Sequence, residues 1–300
     1  MSDIQRAIEH NVGLVGGPHS GKTTYLTALE VYTQQYRTKT WTYEGVDKSA
    51  QDWLNNNQES LKRGEFPGAT LKGTSTLEFL IHRRGVCITI KTVDRPGVDW
   101  IDAQDKVVEY LADCDAIMIL IAAKTGGFNP INMVRNLIQH LDRMRNGGRV
   151  TGQPLPHRVS VCLSQYDDRD TFQFMKQNRY LAKGDNNGVS NTPYLEPHNV
   201  VRYIYQEIDE GDQILRLLAL RFIPHQVNFY SISSIGFFMQ PQSKAVDWEN
   251  CDNVGNTPKG DCIRTGKYYR PVNLLNPIGW ICSNQQSNWM GVYDQLSGSR

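Results

Sequence analysis

The residues Gly16-Gly17-Pro18-His19-Ser20-Gly21-Lys22-Thr23 are of the types, and at the spacing, that can hold a chain of phosphates. They fit G-x-x-x-x-G-K-[ST], a phosphate-binding loop. Gly16 and Gly21 let the backbone curl so that successive N–H groups point into one concavity. Lys22 brings a cation to the outer phosphates, and the Thr23 hydroxyl can ligate magnesium. Gly16, His19, Ser20, Gly21, Lys22, Thr23 and Thr24 are the candidate ligand contacts here, with Thr23 also a candidate metal ligand. Such a loop needs a strand before it and a helix after it. Residues 11–15 are a short apolar run, and residues 23–36 read as a helix with Leu26, Leu29 and Tyr32 or Thr33 on one face. The helix N-terminus adds its dipole to an anion site. The implied ligand is a nucleoside triphosphate.

Three further stretches narrow it. The apolar run 86–93 ends in Asp94-Arg95-Pro96-Gly97. A carboxylate at a strand's C-terminal end can hold magnesium through water, and Gly97 lets a backbone N–H approach a γ-phosphate. An ordinary Asp-Pro-Gly turn fits the same residues. Residues 159–163 run into Ser164-Gln165-Tyr166-Asp167, which sets a carboxylate just past an apolar strand, where an ordinary turn also fits. Asp168 next to it leaves two registers open. After residues 227–232 come Ser233-Ser234-Ile235, short residues that suit close approach of a ligand to the backbone or an ordinary strand-end turn.

Taken together, these stretches resemble the Ras-like, translation-factor-related class of P-loop GTPases over about residues 11–281. In that class the third stretch reads Asn-Lys-x-Asp and the fourth Ser-Ala-Lys. Here Ser164 replaces Asn, Gln165 replaces the Lys whose stem covers the base, and Ser233-Ser234 opens the last motif. A closer resemblance is to bacterial double-GTPase-type G-domains predicted in prokaryotic conflict systems. It is carried by Arg63-Gly64-Glu65-Phe66-Pro67-Gly68-Ala69-Thr70 and by Asn273-Leu274-Leu275-Asn276-Pro277-Ile278-Gly279-Trp280. The resemblance implies GTP/GDP and Mg2+ as cofactors, with Thr23 and Asp94 on the metal. It implies catalytic roles for Lys22, Gly97 and a switch I threonine, for which Thr70 is the candidate and Thr74 and Thr76 are rivals. Ser164, Gln165, Asp167, Ser233 and Ser234 become the base contacts. An effector or activating protein is the implied partner, and self-association is left open.

The departures bear on catalysis. Val98 stands where Ras-like enzymes carry a water-positioning glutamine, so slow or partner-stimulated hydrolysis is expected. Asp99 and Gln104 are candidate substitutes for it or solvated side chains, and Arg95 is a surface charge or a contact to phosphate or a partner. His19 occupies the place of the loop asparagine of potassium-activated GTPases and reads as an exposed side chain. Two other readings share the phosphate loop: an ATPase or small-molecule kinase, and a nucleotide-bound scaffold without turnover.

The elements that must position these residues alternate. Apolar runs at 77–82 and 86–93 flank Arg83-Arg84-Gly85 as a hairpin, and residues 105–112 suit a helix. Residues 115–123 are apolar throughout, as in a strand buried on both faces. Residues 130–145 carry Ile131, Val134, Leu137, Ile138 and Leu141 at helical spacing. The expected fold is α/β, a three-layer, doubly wound, mainly parallel sheet with one antiparallel edge strand. It is expected to be a single G domain over 1–300, core about 11–281. Polar insertions near 172–210 and 240–270 are expected as surface loops, or lids with a little helix, and the tail from Ser283 as frayed.

Composition excludes other classes. The 300 residues carry a net charge of +1, so no field draws nucleic acid. Mean hydropathy is -0.49, and the longest apolar run is far short of the ~20 residues that span a bilayer. The start lacks a basic-then-apolar leader, and a cytoplasmic location is expected. Six cysteines include no C-x-x-C pair; Cys251 and Cys262 share one polar insertion, where reduced thiols are the expectation.

Overall fold

The computed structural model describes residues 8–35, 41–67, 76–83, 86–93, 109–111, 113–124, 126–186, 189–240, 245–257, 260–265 and 270–298. A seven-stranded sheet organises them. In chain order its strands are β1 (Ile8–Gly16), β2 (Trp41–Gly45), β3 (Thr76–Arg83), β4 (Val86–Val93), β5 (Ala116–Ala122), β6 (Arg158–Ser164) and β9 (Val227–Ile232). The spatial order is β2-β3-β4-β1-β5-β6-β9. Strands β4, β1, β5, β6 and β9 are parallel. Only β3 runs against its neighbours, paired with β4 in the hairpin and with β2 outside it. The antiparallel edge thus has one more strand than the expected hairpin.

Side-chain alternation assigns the two faces. From β5, Ile117, Ile119 and Ile121 point into one core, and Ala116, Met118 and Leu120 into the other. Every residue of β5 is therefore buried, which explains its unbroken apolar run. The first core is closed by α3 (Pro130–Arg145), α5 (Pro197–Glu207) and α6 (Gly211–Arg221). The second is closed by α1 (Lys22–Gln35), α2 (Lys48–Lys62) and α7 (Asn276–Ile281). Each Leu or Ile side chain so buried contributes roughly 1.5–3 kcal/mol.

Several expectations are corrected. Between α1 and β3, where the sequence pattern marked no element, the chain forms β2 and the 15-residue helix α2. The 172–210 segment is not a surface loop. It continues α4 (Arg169–Gln177), forms the hairpin β7 (Ala182–Asn186) and β8 (Val189–Tyr194), and supplies α5, whose Val200, Val201 and Ile204 are in the core. The 240–270 segment contains the hairpin β10 (Val254–Thr257) and β11 (Gly260–Ile263). The tail is not frayed: α8 (Trp289–Ser297) buries Trp289 against Phe229. Of the predicted helix 105–112, residues 109–111 form a single 3-10 turn, and 105–108 and 112 lie outside the described residues. Among the described residues, no helix is long and apolar enough to cross a membrane.

Candidate nucleotide-binding site

Strand β1 has β4 on one side and β5 on the other, so the connections leave it in opposite directions. Ligands of open parallel sheets lie at the C-terminal strand ends where this happens. Residues 17–21 leave β1 there and enter α1 directly, with Tyr25 N–H bonded to the Gly21 carbonyl at 2.8 Å. Gly21 has φ of 78°, a left-handed conformation that its type allows without strain. Exposed His19 adopts φ of 56° despite its side chain. Gly17 is glycine for space: a Cβ there would fall 2.1 Å from the Phe128 ring. Lys22 Nζ donates to the carbonyl of Gly16, and to that of Gly17 at 3.3 Å, which holds the ammonium across the loop. Thr23 and Thr24 are half-buried in the first turn of α1.

The β6 end is laced to this loop. Ser164 Oγ donates to the Ser20 carbonyl at 2.9 Å and lies 3.3 Å from the Ile121 carbonyl. Gln165, itself at φ of 57°, donates from Nε2 to the His19 carbonyl at 2.7 Å. The two substituted motif residues thus each hold one carbonyl of the phosphate loop.

Geometry separates the adjacent carboxylates. Asp168 is the N-cap of α4: its Oδ1 accepts from the Thr171 N–H at 3.1 Å and the Thr171 hydroxyl at 3.0 Å. Asp167 is 6% exposed, and its Oδ1 has no hydrogen-bond partner. Burial pushes its carboxyl up to about 7; a hydrogen bond from Ser233 opposes this, and the charges of Asp168 and Asp252 add to it. A buried carboxylate oxygen without a donor costs several kcal/mol, roughly the worth of a hydrogen bond to a charge or more.

Ser233 links that acceptor to the β9 end. Its backbone N–H and C=O pair with Val272 at 3.1 and 2.8 Å, and its Oγ accepts from the Gly236 N–H at 2.8 Å. The backbone N–H groups of Ser234 and Ile235, between them, donate to no acceptor among the described residues. One buried acceptor and two adjacent free donors therefore stand at neighbouring strand ends.

Thr70, Thr74, Asp94, Arg95, Gly97, Val98, Asp99 and Gln104 lie outside the described residues. Thr76 is the exposed first residue of β3, opposite Val93. Cys251 and Cys262 are free thiols; burial pushes Cys251 up to about 12, and no cluster of metal-binding side chains occurs among the described residues. Phe128 and Asp252 were not anticipated. Gly126-Gly127 before Phe128 signals only a turn, and Asp252 reads as one more charge in a polar segment.

No family model and no curated protein matches the chain. Among solved structures it is similar to the GTPase-like domain of S. cerevisiae Ski7 bound to GTP, at 10% identity and a TM-score of 0.38, over 81% of this chain and 48% of that one. It is similar to Sup35 complexed with GMPPNP at 13% identity and a TM-score of 0.37, over 83% and 42%. It is also similar to translation elongation factor SelB from Methanococcus maripaludis with a GTP analogue, at 16% identity and a TM-score of 0.27, over 58% and 26%. The chain thus spans less than half the length of each of these structures.

Proposed function

We propose that this chain is a single G domain that binds GTP with magnesium and acts as a nucleotide-dependent switch. The observation that carries the reading is the buried Asp167 carboxylate, whose Oδ1 is unpartnered while its neighbour Asp168 is committed to a helix cap. Guanine offers two N–H groups on one edge to such an acceptor, and its O6 suits the free N–H groups of Ser234 and Ile235. Gly16 to Thr24 would cradle the phosphates, with Lys22 supplying charge. Thr23 and Asp94 would hold magnesium, which would draw charge from the phosphate oxygens when bound. Thr70 and Gly97 would sense the γ-phosphate, and their segments would order and release with nucleotide state.

A competition titration of GTP against ATP tests this, with Asp167→Ala as control. GTP should win on the native chain. The variant should lose at least about tenfold in GTP affinity, the worth of one hydrogen bond to a charged group, and keep its affinity for magnesium tripolyphosphate. A preference for ATP, or unchanged GTP preference in the variant, overturns the assignment.

Val98 has no hydrogen-bonding group with which to orient a water. Intrinsic hydrolysis should therefore be slow in single-turnover assays with magnesium and should rise on addition of cell extract. Rapid turnover by the purified chain would remove the need for a partner. The reading also places the protein in the cytoplasm, with an effector or activating protein as partner, in keeping with the conflict-system resemblance.

A further inference from the structure

The segment 245–265 is built into the base end of the site. Phe238 N–H bonds to the Cys251 carbonyl at 2.8 Å, and Asp247 N–H to the Phe238 carbonyl at 3.0 Å. Trp248 packs edge-on against Phe172, which also meets Phe237. These contacts bring Asn253 under the turn after β9. Asn253 is fully buried, and its amide is used at both ends. Nδ2 donates to the Ile235 carbonyl at 2.9 Å, while Oδ1 accepts from the Thr265 N–H at 3.0 Å. The Asn253 carbonyl takes a third bond, from the Arg264 N–H at 2.8 Å.

The turn so held is the one whose Ser234 and Ile235 N–H groups donate to no acceptor among the described residues. The Ile235 carbonyl shares its peptide plane with the Gly236 N–H, which bonds to Ser233 Oγ, so the two bonds together fix that plane and close the turn that carries the Ser234 and Ile235 N–H groups. We propose that Asn253 is a positioning residue for base recognition: from within the insertion it orients the 233–236 turn so that its free N–H groups meet the base carbonyl. This role rests on the reading of residues 164–167 and 233–234 as the base site. No motif residue supplies it. Residues 245–257 and 260–265 are thus part of the binding wall, where the sequence suggested a surface loop or a lid with a little helix.

Asn253→Asp is the discriminating variant. It keeps the acceptor for Thr265 and the side-chain volume, and it replaces the donor to Ile235 with a second acceptor. The probes are GTP, ITP and inorganic tripolyphosphate, each with magnesium, measured by calorimetry. GTP and ITP share the O6 carbonyl, so both should weaken together, by about tenfold, and tripolyphosphate should not change. Asp167→Ala differs in kind, because it should erase the preference for GTP over ITP, which lacks the exocyclic amine. Asn253→Asp binding GTP within about twofold of the native chain, or losing tripolyphosphate in parallel, overturns the role. If the variant does not fold, amide hydrogen exchange on the native chain decides. GTP, and not tripolyphosphate, should protect Ser234 and Ile235, and equal exchange in both overturns the proposal. A native chain that prefers ATP overturns the base-site reading itself, whereas retained GTP preference beside a neutral Asn253→Asp overturns the Asn253 role alone.

Discussion

At the residue scale, two positions are decided by their neighbours and not by their own chemistry. Gly17 lies beneath the Phe128 ring, closer than any Cβ could approach. Gly17→Ala should weaken nucleotide binding by displacing the loop, and Phe128→Ala in the same chain should restore much of it. Titrating the two single variants and the double variant with GTP measures this, and additive losses would show that the contact is not what excludes a side chain there. Asp167 and Asp168 differ by one position and have opposite employment. Asp168→Ala should cost about 1 kcal/mol of stability, the usual loss for an N-cap, with GTP preference intact. Urea denaturation and the GTP/ATP competition together check it; loss of base preference in that variant would return the register to question.

At the element scale, legibility tracked how closely each segment obeyed a period. Strands β4 and β9 and helix α3 have the bounds their apolar patterns imply, because each sets one mostly buried face against the core. Helix α2 was missed because its buried stripe is Ala50, Leu54, Gln58 and Leu61, with a glutamine in the place of an apolar residue. Gln58 is satisfied by Gln34 at 2.9 Å and by Lys62 at 2.7 Å, a tertiary network that periodicity cannot see. Strand β2 was missed because Tyr43 is its one buried residue. In the 172–210 segment the Gly and Asn residues mark only the β7–β8 hairpin, and their weight masked the apolar face of α5. The site divides similarly. The loop between β1 and α1 was plain, since the glycine and lysine pattern of residues 16–23 requires a strand before it and a helix after it. Ser164 and Gln165 read as degraded because their work, bonding Ser20 and His19 carbonyls, can be done by more than one polar residue. Asn253 carried no signal, since it acts on a turn 18 positions before it.

At the scale of the whole molecule, three buried carboxyls shape stability against pH. Burial raises Glu30 to about 7, with the nearby Lys62 opposing it, and raises Asp167 likewise. In both, the folded chain holds a proton that the unfolded chain has lost between about pH 4 and 7, so stability should fall as pH rises through that window. Asp142 is fully buried, and burial works against its charge. The N–H groups of Gly152 and Thr151, the Thr151 hydroxyl and the Arg221 guanidinium outweigh that and hold it at about 2. Its contribution is present above about pH 4 and is lost as pH falls toward 2. Thermal melts of the ligand-free chain should therefore show a higher Tm near about pH 5 than near about pH 8, with Glu30→Gln and Asp167→Asn together flattening the difference. A Tm that rises steadily to about pH 8 contradicts these assignments. The molecule is also closed by its last quarter. Tyr25 of α1 donates to the Leu274 carbonyl at 2.9 Å, Ile263 N–H meets the Gly64 carbonyl at 2.7 Å, and Val272 pairs with Ser233. A chain emerging from the ribosome has its phosphate loop exposed while these partners are still to be made. Nucleotide capture would then await residues near 274, although every recognisable motif is synthesised before them.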